Sequence, residues 1–209
     1  MFQRSTALAG AALAAAAVIA VAVPVTTATA APKAAAPTAP GFIKGTDLPK
    51  HPSSAWTAGP VKKGLPEHPV FCLGKTLPAT NVWHREFGTD VDAHALQLSV
   101  RAASEADAKK LAAALEKKVA ACAADWLRKT SGGTASWKDY GKLTVEEGAH
   151  VYGVHTAVPD SEHGVNLFGI GRDGSTVTVV DWSQMGTLVD APATAFKKTT
   201  VTAVKKLNP

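Results

Sequence analysis

The chain has 209 residues and a formal net charge of +5, with 46% hydrophobic and 19% charged side chains, enough apolar mass for one packed domain of ordinary size. It holds only two cysteines and no dense Lys/Arg stripe, which excludes a multi-disulfide scaffold and gives no footprint for nucleic acid. No segment repeats at a fixed period, which excludes a solenoid.

The first thirty residues are built as an export signal. Arg4 is the one charge of the start, residues 7–25 are uncharged, and Ala28-Thr29-Ala30 places small residues at a peptidase site, so cleavage is expected between Ala30 and Ala31. The competing reading is a membrane anchor, since the uncharged run approaches the roughly 20 residues of a span. Its alanine-rich composition and Pro24 favour removal, and no cysteine follows to carry a lipid. Losing Arg4 lowers the net charge to +4. Residues 31–41 (APKAAAPTAPG) read as a Pro/Ala-rich disordered linker, leaving residues 42–209 as a single domain.

Residues 42–88 carry Pro49, Pro52, Pro60, Pro66, Pro69 and Pro78, so turns and short extended pieces are expected to wrap the rest of the domain. In residues 95–101 Leu96, Leu98 and Val100 alternate, as in a half-buried strand. Ser104 then precedes an apolar series (Ala108, Leu111, Ala112, Leu115, Val119, Cys122, Trp126) at helical spacing, which predicts a capped helix over 105–129. Cys122 belongs to its buried stripe. In an oxidising compartment it pairs with Cys72, closing a loop of about 50 residues that stabilises by roughly 4 kcal/mol on the chain-entropy argument.

Strands are expected over 149–158, 164–171 and 176–182, the last two joined through Arg172-Asp173-Gly174-Ser175, with a short strand near 143–146 before them. Asp190 is expected to cap a final helix with Pro192 in its first turn and Ala195, Thr199, Thr202 and Leu207 along one side, Phe196 and Val204 nearby. The sum is an α+β domain: a twisted antiparallel sheet of four to five strands, two main helices on one face, and one disulfide.

Several motifs lose their chemistry in context. Gly169-Ile170-Gly171-Arg172-Asp173-Gly174 fits G-x-G-x-x-G but leads into a strand, where a phosphate loop needs a helix N-terminus. His150 and His155 lie on opposite faces of one strand, and only His155 can approach His163. Asp90-Val91-Asp92-Ala93-His94 lacks the remaining ligands of a calcium loop, so no metal and no cofactor are expected. No hydrolase signature occurs, Glu146-Glu147 point apart on a strand, and Asp181 alone is no mechanism, so no catalytic residue is assigned. Of five tryptophans, Trp126 belongs to the helix stripe, while Trp83 and Trp182 are the candidates for cleft walls.

The stretches LPKHPSSAWTAGPVKKGLPEHPVFCLG, CAADWL, DYGKLTVEEGAHVYGVH and GRDGSTVTVVDWSQMG resemble a group of small secreted proteins of Streptomyces and related actinobacteria. More distantly, the plan is similar to the extracellular sensor domain of PknH-type kinases, with a strand bearing Gln97, a helix bearing a half-cystine near Cys122, and a sheet-and-helix finish. That resemblance implies a domain that binds an unidentified ligand in a cleft of a twisted antiparallel sheet. The second disulfide of those domains has no counterpart here, and no kinase accompanies the chain.

The expectation is a secreted, monomeric, non-enzymatic binding module with Trp83, His84, Arg85, His155, Asp181 and Trp182 as ligand-binding residues. Its ligand would be a small molecule or cell-envelope component. Nucleic acid is not expected as a partner, and the membrane only in transit through the signal. The alternatives are a hydrolase without a recognisable motif and a protein-partner or inhibitor domain.

Overall fold

The computed structural model describes residues 38–208. The residues read as a signal, the expected Ala30–Ala31 cleavage site and most of the expected linker lie outside them. Eight strands form one sheet: β1 Thr57–Ala58, β2 Lys62–Lys63, β3 Val82–Gly88, β4 His94–Arg101, β5 Thr134–Leu143, β6 Ala149–Ala157, β7 Gly164–Asp173 and β8 Thr176–Met185. The helices are α1 Glu105–Leu127 and α2 Ala193–Lys205. The order across the sheet is β1-β3-β4-β8-β7-β6-β5, with every pair antiparallel, and β2 prolongs the β1 edge along β3.

The sheet is therefore larger than the expected four to five strands. Two full strands are added. β3 lies at the end of the proline-rich wrap, beyond its last proline, and pairs with β4 along its whole length. β5 is a mostly exposed edge strand whose Lys138 and Lys142 suit an edge that must not recruit another strand. It takes the place of the short strand expected near 143–146, where the chain instead turns with Glu146 at φ 40. A bulge between Asp139 and Gly141 bends β5, and Gly141 takes the required φ of 97 while its N–H donates to Asp139 Oδ1 at 2.7 Å.

α1 forms as its sequence requires. Ser104 Oγ accepts from Asp107 N at 3.1 Å, and Ala108, Ala112, Leu115, Val119 and Cys122 make the buried stripe. The helix carries the chain from β4 across β8, β7 and β6 to the far edge, which no short turn could do. α2 starts later than expected. Asp190 accepts from the backbone N–H and hydroxyl of Thr187 and so closes the preceding turn, while Pro192 is the N-cap. Its buried face is Phe196, Thr199, Thr200, Ala203 and Val204; Ala195 faces solvent.

The two helices lie on opposite faces of the sheet, not on one. Phe168, Ile170, Val177 and Val179 pack with α1, whereas Val165, Leu167, Val180 and Trp182, of the other parity, pack with Phe196 and Ala203 of α2. Strands covered on both sides are buried at successive positions, as residues 176–180 are, with Val177, Val179 and Val180 apolar and Thr176 and Thr178 buried beside them. α2 sits close to the backbone: a Cβ on Gly169 would lie 2.1 Å from Thr200 Oγ1. The G-x-G motif is thus a helix seat within β7, ending in the β7–β8 hairpin turn at Gly174.

Cys72 and Cys122 are bonded, with their Cα atoms 5.3 Å apart, tying the wrap to α1. The start of the wrap lies on the α2 face. Pro40 is buried, Gly41 packs against the Lys206 carbonyl, and Ile43 N donates to the fully buried Gln97 at 2.8 Å. Packing therefore begins at Pro40, inside the segment read as linker. Among the described residues no helix is long and apolar enough to cross a membrane.

Candidate functional site

α1 covers β5 to β8 and leaves the same face open over β3, β4 and the end of β8. The segment 66–71 arches over this open part, with Phe71 packed on Phe168 at 6.5 Å between ring centroids and Cys72 bonded to α1. Between arch and sheet runs a groove of about 680 Å³. Its floor is formed by Glu86, His94, Leu96, Asp181 and Ser183, and its arch by Pro66, His68, Pro69, Val70 and Phe71, with Asp90 at one end. Strand parity puts all five floor residues on one face.

Asp181 is the unusual member. Leu96 is directly opposite it on β4 and Phe168 on β7, so apolar side chains flank the carboxyl on both sides. This burial pushes its pKa from 3.8 up to about 7, opposed only by the bond that Asn166 donates to Oδ1 at 3.0 Å. Oδ2 has no partner among the described residues and is not sealed in the core, so it opens on the groove. His94 lies opposite Ser183, one diagonal step from Asp181.

The other residues singled out from the sequence do not join Asp181. His84 is buried with Nδ1 2.8 Å from the Gly64 carbonyl. Arg85 donates to the carbonyls of Gly59 and Ile43 at 2.8 and 3.1 Å, clamping two parts of the wrap. Trp83 is buried on the α2 face, as is Trp182. Trp182 lines a separate cleft of about 310 Å³ with Trp56, His51 and Asp92, and its Nε1 has no acceptor among the described residues. His155 stacks on His163, Nε2 to Nδ1 2.7 Å, at the far hairpin; desolvation, then its neighbour, lowers its pKa.

His150 faces α1, opposite in sense to His155. Its Nε2 lies 2.7 Å from Asp139 Oδ1, and its Nδ1 lies 2.8 Å from the Tyr152 hydroxyl and 3.3 Å from Glu116. The His150 bond lowers the Asp139 pKa, and burial followed by the Glu116 charge raises that of Tyr152. This network joins β5, β6 and α1 and lines neither the groove nor the Trp182 cleft, so it braces the fold. Among the described residues no group of three or more His, Cys, Asp or Glu is placed to hold a metal ion.

Glu86, His68, His94 and Asn166 are the site residues that sequence reasoning missed. For Glu86, His94 and Asn166 the only signal is strand register, which brings β3, β4, β7 and β8 side by side, and His68 reaches the groove on the arch. No family model, no curated protein and no solved structure matches the chain.

Proposed function

We propose that the chain is an exported, non-enzymatic binding module that takes a small molecule or a fragment of the cell envelope into the groove over β3, β4 and β8. The observation that carries this reading is a cavity of ligand size with a rigid floor and an arch fixed by the Cys72–Cys122 bond. A concave wall with apolar surface from Val70, Phe71 and Leu96 and a few convergent polar groups is the form such sites take. The resemblance to PknH-type sensor domains, which implies a ligand in a cleft of an antiparallel sheet, supports the same reading.

The test fills the groove without touching the core. Ser183→Trp places a large ring on the floor, and the parent and variant are compared for retention of soluble envelope digest and for thermal shift across a metabolite panel. Retention by the parent and loss in Ser183→Trp is the expected result. A parent that retains nothing and shifts with nothing sinks the reading.

One observation favours a second reading. An acid whose pKa is about 7 lies a diagonal step from His94, a pairing fit for acid–base hydrolysis. Release of reducing ends or free amines from envelope material by the parent, lost in His94→Ala, would establish it in place of the first.

A further inference from the structure

The groove is the polar opposite of the molecule that carries it. The chain has a net charge of +5, yet the groove is lined by the carboxylates of Glu86, Asp90 and Asp181 and by no lysine or arginine. Surface carboxylates alone say little. Asp181 is different, because it sits between Leu96 and Phe168 with one oxygen held by Asn166 and the other facing the cavity unpartnered among the described residues. A carboxylate flanked by hydrocarbon is costly to ionise, and a cation that meets it offsets that cost. Among the described residues the groove supplies none: Asn166 is neutral, and the other titratable groups that line it are Glu86, His94, Asp90 and His68.

We propose that the ligand of this groove carries an ammonium group that seats on Asp181 Oδ2, joined to a ring or short apolar body that packs between Phe71 and Leu96. The inference rests on the binding reading above and names the chemistry of its ligand. A primary amine offers three N–H donors, one for Asp181 and another for Ser183, two residues along the same face of β8. Phe71 is held by its contact with Phe168 and by the neighbouring disulfide, so the apolar half of the site is pre-formed. Amino sugars and amino-acid side chains both present this group.

Burial also holds the free groove's acid up to about 7, so ammonium binding at neutral pH drives a proton off Asp181. Affinity then rises with pH through the range in which Asp181 ionises, and the proton goes to buffer.

The experiment is titration calorimetry on the exported chain with benzylamine, benzyl alcohol and benzoate, followed by glucosamine and N-acetyl-lysine amide as arms for the two natural sources. Benzylamine is expected to bind about 10–100-fold tighter than benzyl alcohol, the range of one charge-assisted bond. Its affinity should rise about tenfold or more from pH 5 to 8, and its observed binding heat should vary with the buffer's ionisation heat, as proton release requires. In Asp181→Asn the preference for the amine and the pH slope should both vanish, while Glu86→Gln should keep the slope. Equal binding of amine and alcohol, preference for benzoate, or an unchanged slope in Asp181→Asn overturns the inference. Groove binding by neutral compounds that Ser183→Trp abolishes overturns the amine and leaves the binding-module reading standing.

Discussion

Replacing Asp181 by asparagine tests the site's electrostatics through stability alone, with no ligand. The folded chain holds this acid near pKa 7 against 3.8 in the unfolded chain. A raised acid favours its neutral form, so its stabilising share is complete below about pH 4 and is lost as pH rises through about 7. Asparagine keeps the acceptor for Asn166 and never ionises, so it escapes that loss. Three pKa units at about 1.4 kcal/mol each set a ceiling of about 4 kcal/mol. Water entering the groove brings the expected gain at pH 8 to about 2–4 kcal/mol. With a urea dependence of about 2 kcal/mol/M, that is a midpoint shift of about 1–2 M at pH 8 and almost none at pH 4. Titrations of Glu86, His94 and other groups occur in both proteins and cancel in the difference. A variant whose advantage is the same at pH 4 and pH 8, or is absent at both, refutes the argument that burial perturbs Asp181.

Two further predictions concern the frame of the site. Reducing Cys72–Cys122, or replacing both by serine, should cost about 4 kcal/mol in urea unfolding and loosen the arch; an unchanged midpoint in dithiothreitol would contradict this. Gly169→Ala should destabilise by about 1–3 kcal/mol in thermal melts, because its Cβ meets Thr200, and Thr200→Ala should recover part of the loss in the double variant. A harmless Gly169→Ala would mean that α2 does not seat on β7 as described.

The elements legible in the sequence are those whose own residues carry the pattern. α1 shows both its Ser104 cap and its Leu115–Val119–Cys122 stripe, and the β7–β8 hairpin shows its Asp-Gly turn. β3 and β5 were not legible for different reasons. β3 follows closely on a proline-dense stretch, and its Val82-Trp83-His84 start is buried on successive positions instead of alternating. β5 is largely exposed and mixes Lys138, Asp139 and Lys142 with few apolar residues, so its strand character comes from pairing with β6. The helix arrangement had a signal that one-face reasoning overlooks: residues 176–180 have no exposed side chain, as a sheet covered on both faces demands. The site was legible only as Asp181 itself. Leu96, Phe168 and Asn166, which give that acid its character, reach it through registers that no local pattern encodes. Trp83, His84 and Arg85 look chemical in sequence because packing a wrap and reading a ligand use the same residue types.

The seating of Pro40, Gly41 and Ile43 against Gln97 and the end of α2 sets an orientation. The described chain begins and ends on the α2 side, with Lys206 beside Gly41, while the groove opens on the α1 side. Pro40 therefore lies at the back of the domain. A biotin or affinity handle placed there would fix the protein to a bead or sensor surface with the groove turned outward, and a handle inserted in the 66–71 arch would block it.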